Sequence, residues 1–317
     1  MMTEKPLITI ALAVYEPNLK WLEDLLRSLD GQTYPNLELI VHDDCSSEES
    51  YNQMQDCVGR LITRIPYQIG RNKENQGSDR TFEQLTEAAN GTYIAYCDQD
   101  DIWVPDKLEK LEQILARSSC GIVCSDVQVI DASGRKMANS ITQVRRRHIF
   151  YTGDDLPEYL LYHNFVMGCT ILLRTELARA SLPFIHGMVH DHYLTLFCSL
   201  HGGIDICPEP LIQYRIHSEN QSNVLSGICS PEQYFEKRIL PFYMRSQAIY
   251  ERFGIPASGT AVQWARARIL NYQERNMCAL WKMRHIDVKT SLFELIMLRM
   301  PRPLFRLALR CLQRGIL

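Results

Sequence analysis

Asp98-Gln99-Asp100 follows directly on the apolar run Tyr93-Ile94-Ala95-Tyr96-Cys97, which sets two carboxylates at the end of a strand. Hard divalent cations such as Mg2+ or Mn2+ take oxygen ligands, few of them from protein, and keep room for phosphates and water. A cation held by Asp100 and bridging a diphosphate would neutralise charge developing on a leaving group. An acidic turn ahead of a helix N-terminus accounts for the same residues when they are taken alone. A further carboxylate, Asp191 in Val189-His190-Asp191-His192-Tyr193, is of the type that accepts a proton from an attacking hydroxyl, or that caps the helix after it. His186, His190 and His192 crowd this stretch, but a two-residue step puts His190 and His192 on different helix faces, which argues against zinc. His190 and His217, the latter just after Arg215 at a strand end, are expected along a diphosphate or acceptor cleft.

Hydrophobic periodicity gives these residues a scaffold. Residues 7–14 read as a buried strand, and 18–31 as an amphipathic helix with Trp21, Leu22, Leu25, Leu26 and Leu29 on one face. Strands follow at 37–42, ending in Asp43-Asp44, at 64–69 and at 92–97, with helices at 46–61, at 80–90 and at 105–117, the last opened by Pro105. This alternation predicts an α/β fold with a doubly wound, mostly parallel sheet. Ligands of such sheets sit beyond the carboxyl ends of the strands. Tyr15, Asp43-Asp44 and Asp98 to Asp101 all fall there, so three segments should converge on one pocket. Beyond them come a strand pair over 121–130, a strand at 169–173, a helix at 189–200, short strands near 204–207 and 211–216, and helices from Pro231 onward. The expected organisation is a catalytic domain over residues 1–225 and a helical region over 226–317.

At 317 residues, 46% hydrophobic and 22% charged, the chain is globular. Its eleven cysteines are scattered without a C-x-x-C pair, which predicts reduced thiols in the cytoplasm. No secretory leader is read at the N-terminus, and no stretch approaches the roughly 18 apolar residues of a bilayer-spanning helix. Net charge is −3, with the basic residues concentrated after Trp264 and the rest acidic, which excludes nucleic acid as a partner. Arg145-Arg146-Arg147 reads as a solvated face. Arg299, Arg302, Arg306, Arg310 and Arg314 recur at three- and four-residue steps beside Phe293, Leu295, Ile296, Leu298, Leu304, Phe305, Leu307 and Leu312. Pro301 and Pro303 should divide this segment into two short helices. They are expected either to lie on an anionic membrane surface, peripheral at its inner face, or to pack on protein, including a second subunit.

The chain resembles the family 2 glycosyltransferases with the GT-A fold. The resemblance rests on Ile8-Thr9-Ile10-Ala11-Leu12-Ala13-Val14-Tyr15-Glu16, on Gln32-Thr33-Tyr34-Pro35-Asn36 through His42-Asp43-Asp44, on Asn75-Gln76-Gly77 and on Asp98 to Trp103. The Asp-Gln-Asp-Asp-Ile-Trp form, with His190-Asp191 and Tyr214-Arg215-Ile216-His217, is similar to bacterial polysaccharide rhamnosyltransferases. The resemblance spans about residues 7–225 and implies an inverting transferase that uses a nucleotide-sugar donor, dTDP-rhamnose above all, and a glycan or lipid-linked acceptor. It implies that Tyr15 and Asp44 hold the nucleotide base, Asp98 the ribose or metal side, Asp100 the metal, Arg80 the diphosphate and Asp191 the acceptor proton. It also puts Met167-Gly168-Cys169-Thr170 at the floor of the acceptor cleft, where strand packing is the alternative. Glu16 stands where the family more often has Asn, and Cys45 where it has Gly. A UDP-hexose donor, a nucleotidyltransferase and an inactive glycan-binding module are the alternatives. A nucleotidyltransferase would open with a Gly-rich phosphate loop, whereas this chain has Tyr15-Glu16-Pro17-Asn18.

Overall fold

The computed structural model describes residues 5–145, 148–154, 156–185, 187–217, 227–254 and 259–313; Arg146, Arg147, His186, Arg314 and the junction at 225/226 lie outside them. The chain forms two compact units, residues 1–184 with 188–218 and residues 185–187 with 219–317. The first unit runs β1 (Ile8–Val14), α1 (Leu19–Asp30), β2 (Leu37–Asp43), α2 (Glu48–Leu61), β3 (Tyr67–Arg71), α3 (Ser78–Ala88), β4 (Tyr93–Cys97), β5 (Ile102–Trp103) and α4 (Lys107–Arg117). It continues through β6 (Ile122–Asp131), β7 (Lys136–Ala138), α5 (Ile141–Val144), α6 (Pro157–Leu160), β8 (Leu172–Arg174), α7 (Thr175–Ala180), α8 (His190–Leu200) and β9 (Ile204–Ile216).

The sheet order is β3-β2-β1-β4-β8-β6-β9-β5, with β7 also paired to β6. β1, β2, β3, β4, β6 and β9 run one way, while β5, β7 and β8 run against them. The fold is thus the expected mostly parallel α/β sheet. β1 is buried almost throughout, as a strand covered by helices on both faces must be. Register pairs Val14 with Asp43 and Leu12 with Cys97, so the chain leaves β1, β2 and β4 at one sheet edge. β9 is parallel to β6 and ends at that same edge, which delivers His217 to it.

Several elements differ from the periodicity reading, each for a tertiary reason. Residues 121–130 form one strand rather than a pair, because β6 finds partners in β7, β8 and β9. The two short strands near 204–216 are likewise one, β9, whose prolines sit where the register shifts between Ser125 and Val127 of β6. Pro105 does not open α4: Thr33 N–H donates to the Pro105 carbonyl at 2.8 Å, and the helix starts at Lys107. In α1, Asn18 caps the N-terminus and Leu22, Leu25, Leu26 and Leu29 enter the core, but Trp21 leaves that face and packs its ring on His217, centroids 4.5 Å apart.

The second unit is helical. α9 (Pro231–Tyr234) continues through a π-helical segment (Phe235–Ile239) into α10 (Leu240–Phe253), followed by α11 (Thr260–Gln273), α12 (Met277–Met283), α13 (Val288–Met297) and α14 (Arg302–Gln313). Pro301 ends the α13 segment, whereas Pro303 sits in the first turn of α14, where a missing N–H costs nothing. Ile228, Tyr234, Phe235, Ile239, Met297, Phe305 and Leu309 form this unit's core. The side chains of Arg299, Arg302 and Arg306 are described, those of Arg310 and Arg314 are not, and of the described three only two are open to solvent. Arg299 is tied to Asn271, donating to its carbonyl at 2.9 Å and its side-chain oxygen at 2.8 Å, while Arg302 and Arg306 are exposed.

Candidate functional site

The nucleotide side is built at the ends of β1 and β2. Tyr15 is 49% exposed, and its backbone is held at both polar atoms: its N–H donates to Gln99 Oε1 at 2.9 Å, and its carbonyl accepts from Gln99 Nε2 at 3.0 Å. The middle residue of Asp-Gln-Asp thus fixes the main chain beneath an aromatic ring that remains free to stack. Asp44 is buried and accepts from Asn72 Nδ2 (2.8 Å), Gln76 N–H (2.9 Å) and Gly77 N–H (2.8 Å). A carboxylate has about four acceptor positions, so one is left for a ligand. Gly77, at φ +85, makes the turn that brings those two amides round and then opens α3.

The two departures from the family pattern have a physical signature. Glu16 and Cys45 both have positive φ, 41° and 65°, a region that Asn and Gly enter more readily than other residues. Glu16 compensates by capping α2: its carboxylate accepts from Ser47 N–H and Ser50 Oγ, each at 2.6 Å, which lowers its pKa. Cys45 gains only a 3.5 Å contact from its thiol to the Lys73 carbonyl.

The acidic turn is anchored from 115 residues away. Arg215, 1% exposed, donates through Nε to the Asp100 carbonyl (2.8 Å) and through its backbone N–H to Asp101 Oδ1 (2.9 Å), and its Nη2 lies 3.4 Å from Asp24. One residue beyond Ile216, His217 Nε2 lies 2.7 Å from Asp100 Oδ2. Beneath the turn, Lys107 is fully buried, with Nζ donating to the Cys169 carbonyl at 2.7 Å and lying 3.0 Å from the Trp103 ring centroid. Burial pushes this amine down to about 7. Asp98, half-buried, is pushed up to about 7 by burial and then by the carboxylates of Asp100 and Asp191.

This donor set suits a hard divalent cation. Asp98 and Asp100 are half-buried carboxylates that repel one another, and a cation would remove that repulsion. Ligand atoms of Asp98, Asp101 and Cys169 also cluster within 4.8 Å, but Asp101 is sealed at 0% exposure and the Cys169 thiol, raised by burial, is a protonated soft group. Asp98, Asp100 and the adjacent His217 are the groups that could hold Mg2+ or Mn2+.

Asp191 lies in the first turn of α8, whose N-cap is Val189. Its carboxylate accepts from Asn164 Nδ2 and Gly168 N–H, both at 3.1 Å, and from its own helix at His192 N–H. Burial nevertheless pushes it up to about 7, with Asp79 adding repulsion. A Cβ at Gly168 would stand 2.6 Å from His190 Nε2, so this glycine is needed for packing against α8. His190 itself is buried against Phe82, centroids 3.9 Å apart, and burial drives it down to about 3, which keeps it neutral. Both histidines flanking Asp191 are buried, His192 with its Nε2 against the Leu160 carbonyl, so His190 does not line the cleft as expected. Arg80 is exposed and paired with Glu83 at 2.8 Å, and no contact joins it to the acidic turn among the described residues.

Sequence reasoning missed the roles of Gln99, Lys107, Asn164 and Arg215. Lys107 carried a signal, since it falls in phase with Leu111 and Leu115 on the buried face of α4. The other three act through partners 27 to 115 residues distant, and no local pattern marks them.

Comparison with known proteins agrees with this architecture. The family model for glycosyl transferase family 2 matches residues 9–179, more than half of the chain. The putative teichuronic acid biosynthesis glycosyltransferase TuaG of Bacillus subtilis (strain 168) is 27% identical over 187 residues, covering 57% of this chain and 68% of TuaG. An uncharacterized glycosyltransferase of Nostoc sp. is 23% identical over 278 residues, 84% of this chain and 82% of its own length. Among solved structures, S. aureus TarS 1-349 in complex with UDP-GlcNAc has a TM-score of 0.58 at 14% identity, covering 98% of this chain and 92% of that one. Mannosyltransferase PcManGT from Pyrobaculum calidifontis, in complex with GDP-Man and Mn2+, has a TM-score of 0.54 at 14% identity, covering 93% and 88%. At such identity these two likenesses establish the fold, which is GT-A. The sequence match, seated on a sheet edge that gathers the acidic turn, the exposed tyrosine and the carboxylate of α8, carries the rest: this chain belongs to glycosyl transferase family 2 and is a glycosyltransferase.

Proposed function

We propose that the chain is an inverting transferase that moves a sugar from a nucleoside diphosphate onto a hydroxyl of a cell-surface polysaccharide or lipid-linked glycan, with Asp191 as the base. The observation that carries this reading is Asp191 itself: a carboxylate in the first turn of α8, held by Asn164 and Gly168, close enough to Asp98 to raise its pKa. In this reading Asp191 takes the acceptor proton as the hydroxyl oxygen bonds to the anomeric carbon and the bond from that carbon to the diphosphate oxygen breaks. Inversion follows because attack and departure occur on opposite faces. Tyr15 stacks on the nucleotide base, Asp44 accepts from its N–H, and Arg80 turns from Glu83 towards the diphosphate. Asp98, Asp100 and His217 hold Mg2+ or Mn2+, which when bound supplies charge neutralisation at the leaving diphosphate.

The donor we favour is dTDP-rhamnose, on the Asp-Gln-Asp-Asp-Ile-Trp form of the turn. UDP-hexose is the second reading, favoured by the UDP-GlcNAc in the TarS complex. The helical unit is proposed to rest on an anionic membrane. α13 exposes Val288, Leu292 and Ile296 at four-residue steps, α14 exposes Leu304 and Leu307 beside Arg302 and Arg306, and no helix among the described residues is long and apolar enough to cross a bilayer. A panel of nucleotide sugars assayed for transfer with Mn2+ and with EDTA tests the donor and the metal together. Turnover undiminished by EDTA would overturn the metal role, and turnover of UDP-hexoses alone would overturn the rhamnose donor. Flotation with anionic and neutral vesicles tests the membrane.

A further inference from the structure

The helical unit contains three clustered arginines that the transfer reaction leaves without a role. Arg238 lies in the π-helical segment, Arg245 on α10 and Arg268 on α11. Arg268, 4% exposed, is matched: its Nε donates to both oxygens of Glu294 at 2.9 and 3.1 Å, and its Nη2 to Oε1 at 2.6 Å. Tyr234 Oη donates to the same carboxylate at 3.1 Å. Three donor groups, two from Arg268 and one from Tyr234, commit Glu294 to these partners.

Arg238 and Arg245 have no carboxylate partner among the described residues, and Arg245 Nε is buried with no acceptor. Both side chains are half-buried. Burial and then the guanidiniums of Arg268 and Arg238 push Arg245 down to about 10, and burial with repulsion from Arg268 lowers Arg238. Phe242 and Arg245 share a face of α10, the Phe242 ring centroid lying 5.3 Å from Arg245 Cζ and 4.9 Å from Arg268 Cζ, and Arg238 lies close enough to Arg245 and Arg268 for the charges to repel. The π-helical turn at Phe235–Ile239 re-aims Arg238 relative to a regular helix, and such turns concentrate at functional sites.

A guanidinium does not shed its proton near neutral pH, so two unmatched half-buried charges are strongly unfavourable unless something matches them. We propose that Arg238 and Arg245 form an anion site that takes a phosphoryl group. One phosphate can bring two negative charges against two guanidiniums and present paired oxygens to each fork, whereas one carboxylate would leave a cation over. The phosphoryl group comes either from a soluble phosphate compound or from a phospholipid headgroup.

Thermal unfolding and calorimetry of the full-length protein with inorganic pyrophosphate, in EDTA and against chloride of equal ionic strength, test the site. EDTA removes cation-mediated binding by the strand-end carboxylates. The expected result is that Arg238→Gln/Arg245→Gln unfolds at a higher temperature than wild type without pyrophosphate, yet binds pyrophosphate at least about tenfold more weakly, as loss of charge-assisted bonds requires. If the double variant does not fold, Arg245→Gln alone carries the same comparison. Sedimentation with phosphatidylcholine vesicles, with and without phosphatidylglycerol, separates the sources: glycerol-lipid binding lost in the variant assigns the headgroup, and pyrophosphate binding without vesicle binding assigns a soluble phosphoryl compound. Equal affinity of variant and wild type for both pyrophosphate and anionic vesicles would overturn the proposal, as would a variant that is less stable than wild type in phosphate-free buffer.

Discussion

Replacing Asp191 with Asn should leave the protein nearly inactive and, at pH 8, more stable. Asp191 has its carboxyl pushed from 3.8 to about 7 by burial. A carboxyl raised on folding disfavours the folded state above its unfolded pKa, so the penalty is absent below about pH 4, grows as pH rises and is complete above about pH 7. At about 1.4 kcal/mol per unit, the full penalty is on the order of 4 kcal/mol, and partial solvent exposure screens it to roughly 2 kcal/mol. The amide can accept one of the hydrogen bonds from Asn164 and Gly168 but turns a donor towards the other, at a cost of about 1 kcal/mol. A net gain of about 1 kcal/mol should raise the unfolding temperature by roughly 2 °C at pH 8, with little gain at pH 4. Turnover should fall at least about a hundredfold, the scale for loss of a general base, with donor affinity nearly unchanged. The wild-type rate should fall as pH drops through about 7, and that limb should vanish in the variant. Scanning calorimetry at both pH values, donor titration and pH–rate profiles make the test. A variant with wild-type turnover, or one that loses donor affinity instead, would refute the role of Asp191 as base.

Asp100→Asn should abolish metal-supported transfer while leaving the circular dichroism spectrum intact; Mn2+ titration should show weakened binding, and wild-type Mn2+ affinity would exclude Asp100 as a ligand. Gly168→Ala should lower turnover with donor affinity preserved, since its Cβ would stand 2.6 Å from His190 Nε2 and displace the first turn of α8. Unchanged turnover would show that α8 can yield there. Cys45→Gly should raise stability by up to about 1 kcal/mol in denaturant titration, because a left-handed residue costs roughly 1–2 kcal/mol and glycine gives back about half of that in unfolded-chain entropy. A loss of stability would mean that the thiol contact to the Lys73 carbonyl outweighs the backbone strain.

The amino-acid sequence by itself determined the elements and the edge where chemistry would gather. Strand-length apolar runs alternating with amphipathic helices dictate a parallel sheet, and Tyr15, Asp44 and Asp98 follow directly on three of its strands, so their convergence is a local property read three times. Tertiary structure decided what those residues touch. His217 meets Asp100 only because β9 is parallel to β6 and ends at the same edge, and Arg215 reaches the turn through the same pairing. β9 stays continuous through its prolines because β6 takes up the register shift, and α4 begins at Lys107 because Thr33 engages the Pro105 carbonyl. Local propensity has no access to a partner 70 or 115 residues away. The raised carboxyl of Asp191 has the same origin: its residue type and helix position are written locally, but its burial depends on the neighbours that the fold brings to it.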